Sequence, residues 1–227
     1  MAILLNIDSA VETASVCLSR DTEIMKLAVN NDQKDHAGWL HNAIHRLIQD
    51  AGLSFNDLEA VAVSIGPGSY TGLRISLSAA KGLCYGLNIP LITINTLKIM
   101  AHAVNKENGA GIKEKGELLC PLIDARRMEV FAAVYDKTLI EIIKPCAMIV
   151  NTNSFASLLS SHKIVFCGNG RQKLQNVLFH DNAIFSSVSA TAADLAHLAY
   201  QSFMEKKFAS LPYAEPFYIK EFHSSAS

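Results

Sequence analysis

A glycine-rich stretch carries the residues with the clearest capacity for chemistry. Gly66-Pro67-Gly68 follows an apolar run at Ala60–Ile65 and precedes a helix predicted over Tyr70–Leu87. Proline fixes φ and lacks an N–H, and glycine accepts φ > 0, so the chain must turn sharply here. With Ser69 as a helix cap, the converging N–H groups would suit an anion such as a phosphate. A plain strand-to-helix corner needs the same residues and is favoured, because glycine marks turns more often than it binds phosphate.

The spacing of these glycines does not match the common nucleotide-binding motifs. Gly66, Gly68 and Gly72 form G-x-G-x-x-x-G, one residue longer than the dinucleotide fingerprint, and no G-K-[ST] follows. Ser69 lies in G-P-G-S-Y-T-G rather than in the G-x-S-x-G of a nucleophile elbow, and no spacing identifies a partnering base. A hydrolase or peptidase is therefore a secondary hypothesis.

Composition and charge limit the class of protein. Of the 227 residues, 50% are hydrophobic and 18% are charged, which is typical of a globular α/β protein. The net charge of −1 argues against strong RNA binding by the chain alone. The five cysteines form no C-x-x-C pair, as expected of reduced thiols in a cytosol. No positively charged leader precedes Asp8 and no apolar run reaches about 18 residues, so we expect a cytoplasmic protein without a membrane segment.

The hydrophobic pattern predicts two successive sets of helices and strands. The first set comprises strands at Ile3–Ile7, Ala14–Leu18 and Met25–Val29, a helix at Asp35–Ala51, a strand at Ala60–Ile65, a helix at Tyr70–Leu87, a strand at Ile89–Ile94 and a helix at Thr96–Val104. The second comprises strands at Leu118–Ile123, Val130–Tyr135 and Leu139–Ile143, a helix at Phe155–Ser161, a strand at Lys163–Cys167 and helices at Leu174–Leu178 and Ala192–Lys206, before a tail after Phe222.

The arrangement of these elements predicts two lobes of similar design. A charged, glycine-bearing stretch at 105–117 separates the sets, which places the lobes at 1–104 and 118–227. The apolar strand before Asp124 repeats the strand before Asp8. Each set is a meander of three strands followed by alternating helices and strands, which indicates an internal duplication. We therefore predict an α/β fold of two lobes, the architecture shared by actin, sugar kinases and heat-shock-chaperone ATPases.

Several fragments resemble the TsaB (YeaZ) family, part of the bacterial machinery that makes threonylcarbamoyl-adenosine in tRNA. They are G-P-G-S-Y-T-G-L-R-I from Gly66, I-L-L-N-I-D-S near the start, D-A-R-R-M-E-V-F at Asp124–Phe131 and A-E-P-F-Y-I at Ala214–Ile219. The resemblance thus covers nearly the whole chain. It implies a subunit without catalytic residues that binds and activates the TsaD transferase, together with the ATPase TsaE.

The resemblance also implies a homodimer in isolation, contact with tRNA only through the complex, and neither a cofactor nor a metal. TsaD is expected to hold its metal with two histidines, four residues apart, after the fifth strand. The corresponding positions here are Thr96 and Met100, which are not ligands of that kind. An independent nucleotide-dependent kinase or hydrolase is the alternative.

Nucleotide hydrolysis in that superfamily requires two phosphate loops, one from each lobe. Asp8-Ser9 is a candidate for the first, but at the second the chain reads D-A-R-R-M-E, without the glycine that close approach to phosphate needs. We therefore predict at most a vestigial nucleotide contact, at Asp8, Ser9, Gly66, Gly68 and Ser69. Arg126 and Arg127 on the second turn are candidates for contact with a phosphate of tRNA or of a nucleotide, although arginines at a strand end are more often solvated.

The helix over Tyr70–Leu87 carries the predicted partner interface. Five residues recur at 4-3-4-3 spacing, a seam of period 3.5 typical of helix pairing: Leu73, Leu77, Ala80, Cys84 and Leu87. Gly82 and Gly86 lie beside the seam, and glycine in a helix costs about 1 kcal/mol relative to alanine, so they suggest close approach by another backbone. The alternative is that both sides are internal. With a second helix of the first lobe, the predicted interface comprises Gly72, Leu73, Ser76, Leu77, Ala80, Cys84, Leu87, Trp39 and Leu40.

Overall fold

The structure, a computed structural model, describes residues 1–32, 36–108 and 116–220. Over these residues the chain folds as two compact units. Unit 1 comprises Met1–Ile99 and Ala190–Pro216, and unit 2 comprises Met100–Ser189 and, among the described residues, 217–220. Each unit is built around one five-stranded sheet.

Strands and helices alternate as the hydrophobic pattern predicts. Unit 1 begins with β1 (Ile3–Asp8), β2 (Ala14–Arg20), β3 (Glu23–Asn30), α1 (His36–Asp50), a 3-10 turn (Phe55–Asp57), β4 (Ala60–Ser64), α2 (Tyr70–Leu87) and β5 (Leu91–Ile94). Then follow α3 (Thr96–Asn108), β6 (Leu118–Asp124), β7 (Glu129–Tyr135), β8 (Glu141–Ile149), α4 (Ala156–Leu159), β9 (Ile164–Cys167), α5 (Arg171–Gln175), β10 (Ala183–Phe185) and α6 (Ala192–Met204). In the described parts of the chain, no helix is both long and apolar enough to cross a membrane.

The two sheets have the same topology. The strand order is β3-β2-β1-β4-β5 in unit 1 and, read in the same sense, β8-β7-β6-β9-β10 in unit 2. In each sheet the first three strands form an antiparallel meander. The fourth strand pairs in parallel with the first strand, and the fifth pairs in parallel with the fourth. The shared order confirms the predicted α/β fold with an internal duplication.

Helices cover both faces of the sheet in unit 1. Val16 and Leu18 of β2 face a core that contains α1 and α2, whereas Cys17, between them, packs against α6. This alternation follows the two-residue period of a strand, and it explains why β1 and β2 are buried along almost their whole length. The start of α6 is fixed on the second face because the Ala192 N–H donates to Ser15 Oγ at 2.8 Å.

Unit 2 has an apolar core in which aromatic rings bridge its elements. The ring of Phe166, on β9, lies 5.3 Å from that of Phe155 and 5.4 Å from that of Phe185. The helices on this side, α4 and α5, are four and five residues long, against 18 for α2 in unit 1. The duplicated sheet is therefore kept in unit 2, while the long helices are not.

Most element bounds agree with the sequence predictions, and the exceptions have local causes. The bounds of α2 are confirmed at both ends, where Ser69 caps the start and Asn88 ends the helix with a φ of 55°. The strand predicted from Leu139 begins later, because Leu139 has a φ of 62° and lies in the preceding turn. The helix predicted at Leu174–Leu178 is replaced by α5, and β10 was not predicted. Three predictions lie outside the described residues: a helix start at Asp35, most of the boundary 105–117 and the tail after Phe222.

The division into units differs from the predicted lobes in two places. The units divide after Ile99, within α3, which continues to Asn108 through the start of the predicted boundary 105–117, and the final helix belongs to unit 1. The sequence analysis assigned α6 to the lobe 118–227, but α6 packs on the sheet of unit 1. Its buried face consists of small and branched residues: Ala192, Leu195, Ala196, Leu198 and Ala199. The spacing of apolar residues in a helix shows that one face is apolar, but it does not show which sheet that face covers. The sequence pattern could therefore not assign α6 to unit 1.

All five cysteines are free thiols, as the sequence analysis expected. Burial raises the pKa of the Cys84 thiol to about 11 and that of Cys167 to about 12. Cys120 is fully buried and its pKa is also raised, by burial and then by the neighbouring thiols. A thiol reacts as the thiolate, so these cysteines are poor nucleophiles in the folded protein.

Candidate functional site

The glycine corner joins β4 to α2 in unit 1. Gly66 has a φ of 115°, a conformation that favours glycine, and its N–H donates to Thr96 Oγ1 at 3.0 Å. Ser69 is the N-cap of α2, and its side-chain oxygen accepts from the Gly72 N–H at 3.2 Å. The predicted sharp turn with a serine cap is confirmed.

The loop after β1 fills the space that an anion would need at this corner. The Ser69 N–H donates to the carbonyl of Ala10 at 2.6 Å, and Ser9 Oγ donates to the carbonyl of Gly72 at 2.8 Å. A Cβ on Gly68 would lie 2.1 Å from the Ala10 oxygen, and one on Gly72 would lie 2.0 Å from the Ser9 oxygen. These glycines therefore allow two loops to pack closely. The carbonyl oxygens that occupy the corner would repel a phosphate.

Asp8 is the buried carboxyl of this corner, with 3% of its surface exposed. Its Oδ1 accepts from Ser64 Oγ at 2.5 Å and from the Ala10 N–H at 3.1 Å. Burial raises the pKa of Asp8 above its ordinary value; these two hydrogen bonds oppose the rise, and the nearby Asp194 adds to it. The structure thus brings together the five residues of the predicted vestigial contact, Asp8, Ser9, Gly66, Gly68 and Ser69, but the Asp8 carboxyl bonds to its own loop and to β4.

Asp8→Asn is expected to change the pH dependence of stability. A carboxyl whose pKa is raised on folding contributes its full stability below the ordinary pKa of 3.8, and that contribution is lost as pH rises through the raised value. The free energy of unfolding, measured with urea between acid and neutral pH, should therefore fall less steeply with pH in Asp8→Asn than in the wild type.

The exposed Asp57 provides a control of opposite sign. Hydrogen bonds from the backbone and side chain of Ser54 lower the pKa of Asp57, so its stabilising effect is present at neutral pH and is lost as pH falls through the lowered value. The free energy of unfolding of Asp57→Asn should therefore fall further below that of the wild type as pH rises. Parallel pH profiles for Asp8→Asn and the wild type would contradict the prediction for Asp8.

Thr96 and Met100, near which the resemblance would place two metal-binding histidines, have structural roles in this chain. Thr96 caps the corner, because its N–H donates to the Gly66 carbonyl at 2.9 Å while its hydroxyl accepts from the Gly66 N–H. Met100 is buried and its side chain packs near Gly168. Within residues 1–32, 36–108 and 116–220, no three His, Cys, Asp or Glu side chains are grouped so that they could hold a metal ion.

The predicted partner interface on α2 needs correction, because most of it is internal to unit 1. Seven of its nine residues are buried: Gly72, Leu73, Ser76, Leu77, Ala80, Cys84 and Leu40. The other two, Trp39 and Leu87, are half-buried and pack against the same core. The seam of period 3.5 covers the sheet of its own unit, which was the alternative that the sequence left open.

The exposed side of α2 presents a different set of residues. Gly82 and Gly86 lie on it. Apart from the adjoining residues and the nearby backbone of the helix itself, nothing in the described residues comes within 4 Å of the position that a Cβ would take at either one. Tyr85, next to them, has 83% of its surface exposed. Arg74 lies about two turns before Gly82, with its guanidinium carbon 4.0 Å from the centre of the Tyr70 ring. Small residues without an intramolecular neighbour leave room for another backbone, which is what the two glycines suggested from the sequence.

An open groove of about 580 Å³ runs between α1 and α2 on this side. Most of its lining residues are small or apolar, and the polar or charged ones are His41, Arg74 and Ser78. The full lining consists of Ala37, His41, Arg74, Ile75, Ser78, Ala79, Gly82 and Leu83. The surface formed by these residues with Tyr85 and Gly86 is called the α1–α2 face below. None of the residues that line the groove belongs to the predicted interface, and Gly82 and Gly86 were the signal in the sequence that pointed to this side.

A second notable feature is the turn between β6 and β7 in unit 2. Arg126 and Arg127 both have positive φ angles, 69° and 47°, and both are exposed. The preceding Asp124 accepts from the Arg126 N–H and from Lys173 Nζ, each at 2.7 Å. Partial burial would raise the pKa of Asp124, but the hydrogen bonds from Lys173 and the Arg126 N–H lower it overall, so its carboxylate stays charged at neutral pH.

Comparison with protein families and sequences gives a consistent result. The model of the family described as "TsaD: tRNA N6-adenosine threonylcarbamoyltransferase" matches residues 24–226. The chain is 28% identical over 232 residues to the tRNA threonylcarbamoyladenosine biosynthesis protein TsaB of Escherichia coli K12, a match that covers 96% of this chain and 94% of the relative. It is 31% identical over 132 residues to the TsaB of Bacillus subtilis 168, but this covers only 58% of the chain and 54% of the relative.

Solved structures support the fold. YeaZ from Pseudomonas aeruginosa superimposes with a TM-score of 0.82 at 24% identity, over 96% of this chain and 100% of the other. An inorganic polyphosphate/ATP-glucomannokinase from Arthrobacter superimposes with a TM-score of 0.50 at 12% identity, over 90% of this chain and 100% of the other. At these identities the likeness concerns the fold, which is the two-unit architecture shared with sugar kinases.

Proposed function

The chain belongs to the family of the TsaD model and, within it, to the TsaB (YeaZ) group, and from this premise we propose that it is a subunit of the tRNA threonylcarbamoyladenosine machinery. In that role it binds a TsaD transferase and activates it together with a TsaE ATPase. It supplies no catalytic group itself. We expect it to work in the cytoplasm, where tRNA is modified.

The observation that carries this proposal is the α1–α2 face. The groove between the helices and the open positions beside Gly82 and Gly86 provide a surface on which a helix of a partner can approach closely. Close helix packing needs small residues at the point of contact, and the exposed Tyr85 supplies an aromatic anchor of the kind enriched in interfaces.

The same face explains why a homodimer and a complex with TsaD would exclude each other. A self-complementary patch used by two copies gives a dimer with two-fold symmetry. A transferase with the same fold can take the place of one copy if it presents matching helices. The two assemblies would then compete for the α1–α2 face, and the transferase should dissociate the homodimer.

The chemistry of the glycine corner supports a subunit that does not hydrolyse ATP. The N–H of Ser69 is bonded to the Ala10 carbonyl, and the carboxyl of Asp8 is buried and bonded to Ser64 and its own loop. A phosphate would have to displace these carbonyl oxygens, and a metal would have to reach a carboxyl whose pKa burial has raised. An independent kinase or hydrolase that used this corner would therefore need these hydrogen bonds to rearrange before a phosphate could bind.

Reconstitution of the tRNA modification system with and without this chain tests the proposal. We expect the tRNA product to fall to background when the chain is omitted, and the isolated chain to release no phosphate from ATP. Asp8→Asn should support modification like the wild type, because Asp8 is structural in this proposal.

Two results would contradict the proposal. One is full tRNA modification without the chain. The other is steady-state ATP hydrolysis by the isolated chain that disappears in Asp8→Asn, which would revive the alternative of a nucleotide-dependent enzyme.

A further inference from the structure

We propose that the turn between β6 and β7 is a phosphate-contact site for RNA, in which Arg126 and Arg127 bind consecutive phosphates of the tRNA backbone. This inference rests on the proposed function, which brings tRNA to the complex. It adds a direct contact between this chain and the RNA, and it locates that contact in unit 2, whereas the α1–α2 face belongs to unit 1.

The backbone of the turn is unfavourable for the residues that occupy it. Arg126 and Arg127 have φ angles of 69° and 47°, in the left-handed region where a Cβ is crowded by the neighbouring carbonyl oxygen. Glycine would relieve this crowding. Strained positions of this kind persist where the surrounding structure fixes them, and they concentrate at functional sites.

Neighbouring groups hold the turn in this conformation. The Ala125 N–H donates to the Glu129 carbonyl and the Glu129 N–H donates to the Arg126 carbonyl, both at 3.1 Å. Lys173 Nζ, on α5, bridges the Asp124 carboxylate and the Glu129 carbonyl, at 2.7 Å and 3.0 Å. The backbone that carries the two arginines is therefore pre-organised, while their side chains extend into solvent.

The charge of the turn is not neutralised by its surroundings. The two carboxylates beside it are each paired with a lysine, Asp124 with Lys173 and Glu129 with Lys220, the latter at 2.6 Å. Neither the Arg126 nor the Arg127 guanidinium has a hydrogen-bond or ion-pair partner in the portion of the chain that the structure describes. The turn thus presents two uncompensated positive charges on a chain of net charge −1.

The chemistry of guanidinium favours phosphate as the ligand. Its planar fork of N–H donors matches phosphate oxygens, and it stays charged at any physiological pH. Consecutive Cα atoms are about 3.8 Å apart, so two long side chains that start from adjacent residues can reach neighbouring phosphates of one strand. Such contacts add affinity without reading sequence, which suits a subunit that positions a substrate for another enzyme.

The test measures the affinity of tRNA for the assembled complex of this chain with the TsaD transferase at several salt concentrations. The double variant Arg126→Gln/Arg127→Gln is compared with the wild type and with a control variant. The control, Lys26→Gln/Lys144→Gln, removes the same charge from exposed lysines elsewhere. Each lost phosphate contact lowers the slope of log affinity against log salt by about 0.7–0.9. We therefore expect the slope to fall by about 1.4–1.8, and affinity near 0.1 M salt to fall at least about tenfold, in the arginine variant alone.

Two further variants separate charge from folding. Arg126→Gly/Arg127→Gly suits the positive φ angles, so it should melt no lower than the wild type and still lose tRNA affinity. Arg126→Lys/Arg127→Lys keeps the charge and should keep most of the salt slope.

The outcomes also separate this inference from the proposed function. Normal assembly with the transferase and an unchanged tRNA affinity and salt slope in the arginine variant would overturn the inference alone. Failure of that variant to assemble would overturn it too, because the turn would then be a protein contact. A wild-type chain that does not associate with the transferase would overturn the proposed function, and the inference with it.

Discussion

Gly82→Arg is expected to abolish binding to the TsaD transferase and to a second copy of this chain, while leaving the isolated protein at least as stable as the wild type. Gly82 lies on the exposed side of α2 with nothing within 4 Å of the position of a Cβ. Arginine is favoured over glycine in a helix by about 0.5–1 kcal/mol, so the variant should unfold at a slightly higher urea concentration.

The loss of binding should be large because arginine would enter a close helix contact. Overpacking costs about 1–3 kcal/mol, and an unpaired buried charge costs about 3–5 kcal/mol more. A loss of about 4 kcal/mol is already roughly a thousandfold in dissociation constant. Calorimetric titration with the transferase and sedimentation of the isolated chain measure the two associations.

Two variants control for this experiment. Ala80→Arg, two residues away on the same helix, puts the same side chain at a fully buried position against the sheet and is expected to unfold unit 1. Ser157→Arg adds the same charge to an exposed position on α4 of unit 2 and should change neither stability nor binding. If Gly82→Arg melts normally and binds the transferase with wild-type affinity, the α1–α2 face is not the interface.

Replacing Gly68 or Gly72 with alanine is expected to destabilise the protein by about 3–5 kcal/mol, which is unusually large for the addition of one methyl group. The added Cβ would lie 2.1 Å or 2.0 Å from a backbone oxygen of the loop after β1. Backbone atoms cannot move aside as the end of a flexible side chain can. Either the loop or the start of α2 must therefore shift, and the hydrogen bond from the Ser69 N–H to Ala10 should be lost.

Gly82→Ala and Gly86→Ala are the matched controls for these two variants. They make the same chemical change in α2 at positions with open space, so they should raise the free energy of unfolding by about 0.5–1 kcal/mol. Urea denaturation of the four variants measures the difference in sign. Equal effects at all four positions would show that helix propensity, and not contact between the loops, governs the glycine corner.

The fold could be predicted from sequence wherever local signals determine an element. The helix α2 was predicted with its observed bounds because Gly66-Pro67-Gly68 forces a turn before it and Asn88 takes the left-handed conformation that ends it. The meander of three strands was predicted in both units, whereas β10, the fifth strand of the second sheet, was not. By contrast, the position of α6 depends on packing between residues that are far apart in sequence. The spacing of apolar residues within the helix does not predict those contacts.

The candidate site was predicted only in part, for a similar reason. The residues of the seam from Leu73 to Leu87 do share one side of α2. However, a helix that can pack on two sides does not reveal from its sequence which side contacts its own sheet. Gly82 and Gly86 pointed to the exposed side, because a glycine there leaves room for another backbone, but the predicted interface was assigned to the seam instead. The role of Gly68 and Gly72 could not be predicted, because their contacts lie about 60 residues earlier in the chain.

The position of α6 also has a consequence for how the protein is made. The hydrogen bond between Ala192 and Ser15 joins residues that are 177 positions apart. During synthesis the strands of unit 1 therefore leave the ribosome long before the helix that covers their second face, and the surface around Cys17 stays bare for most of translation. Closing so long a loop carries a high entropic cost, and an uncovered sheet is open to chaperones and to aggregation. The sheet that supports α1 and α2 is covered on both faces only when α6 has been made, so unit 1 cannot complete its packing until then.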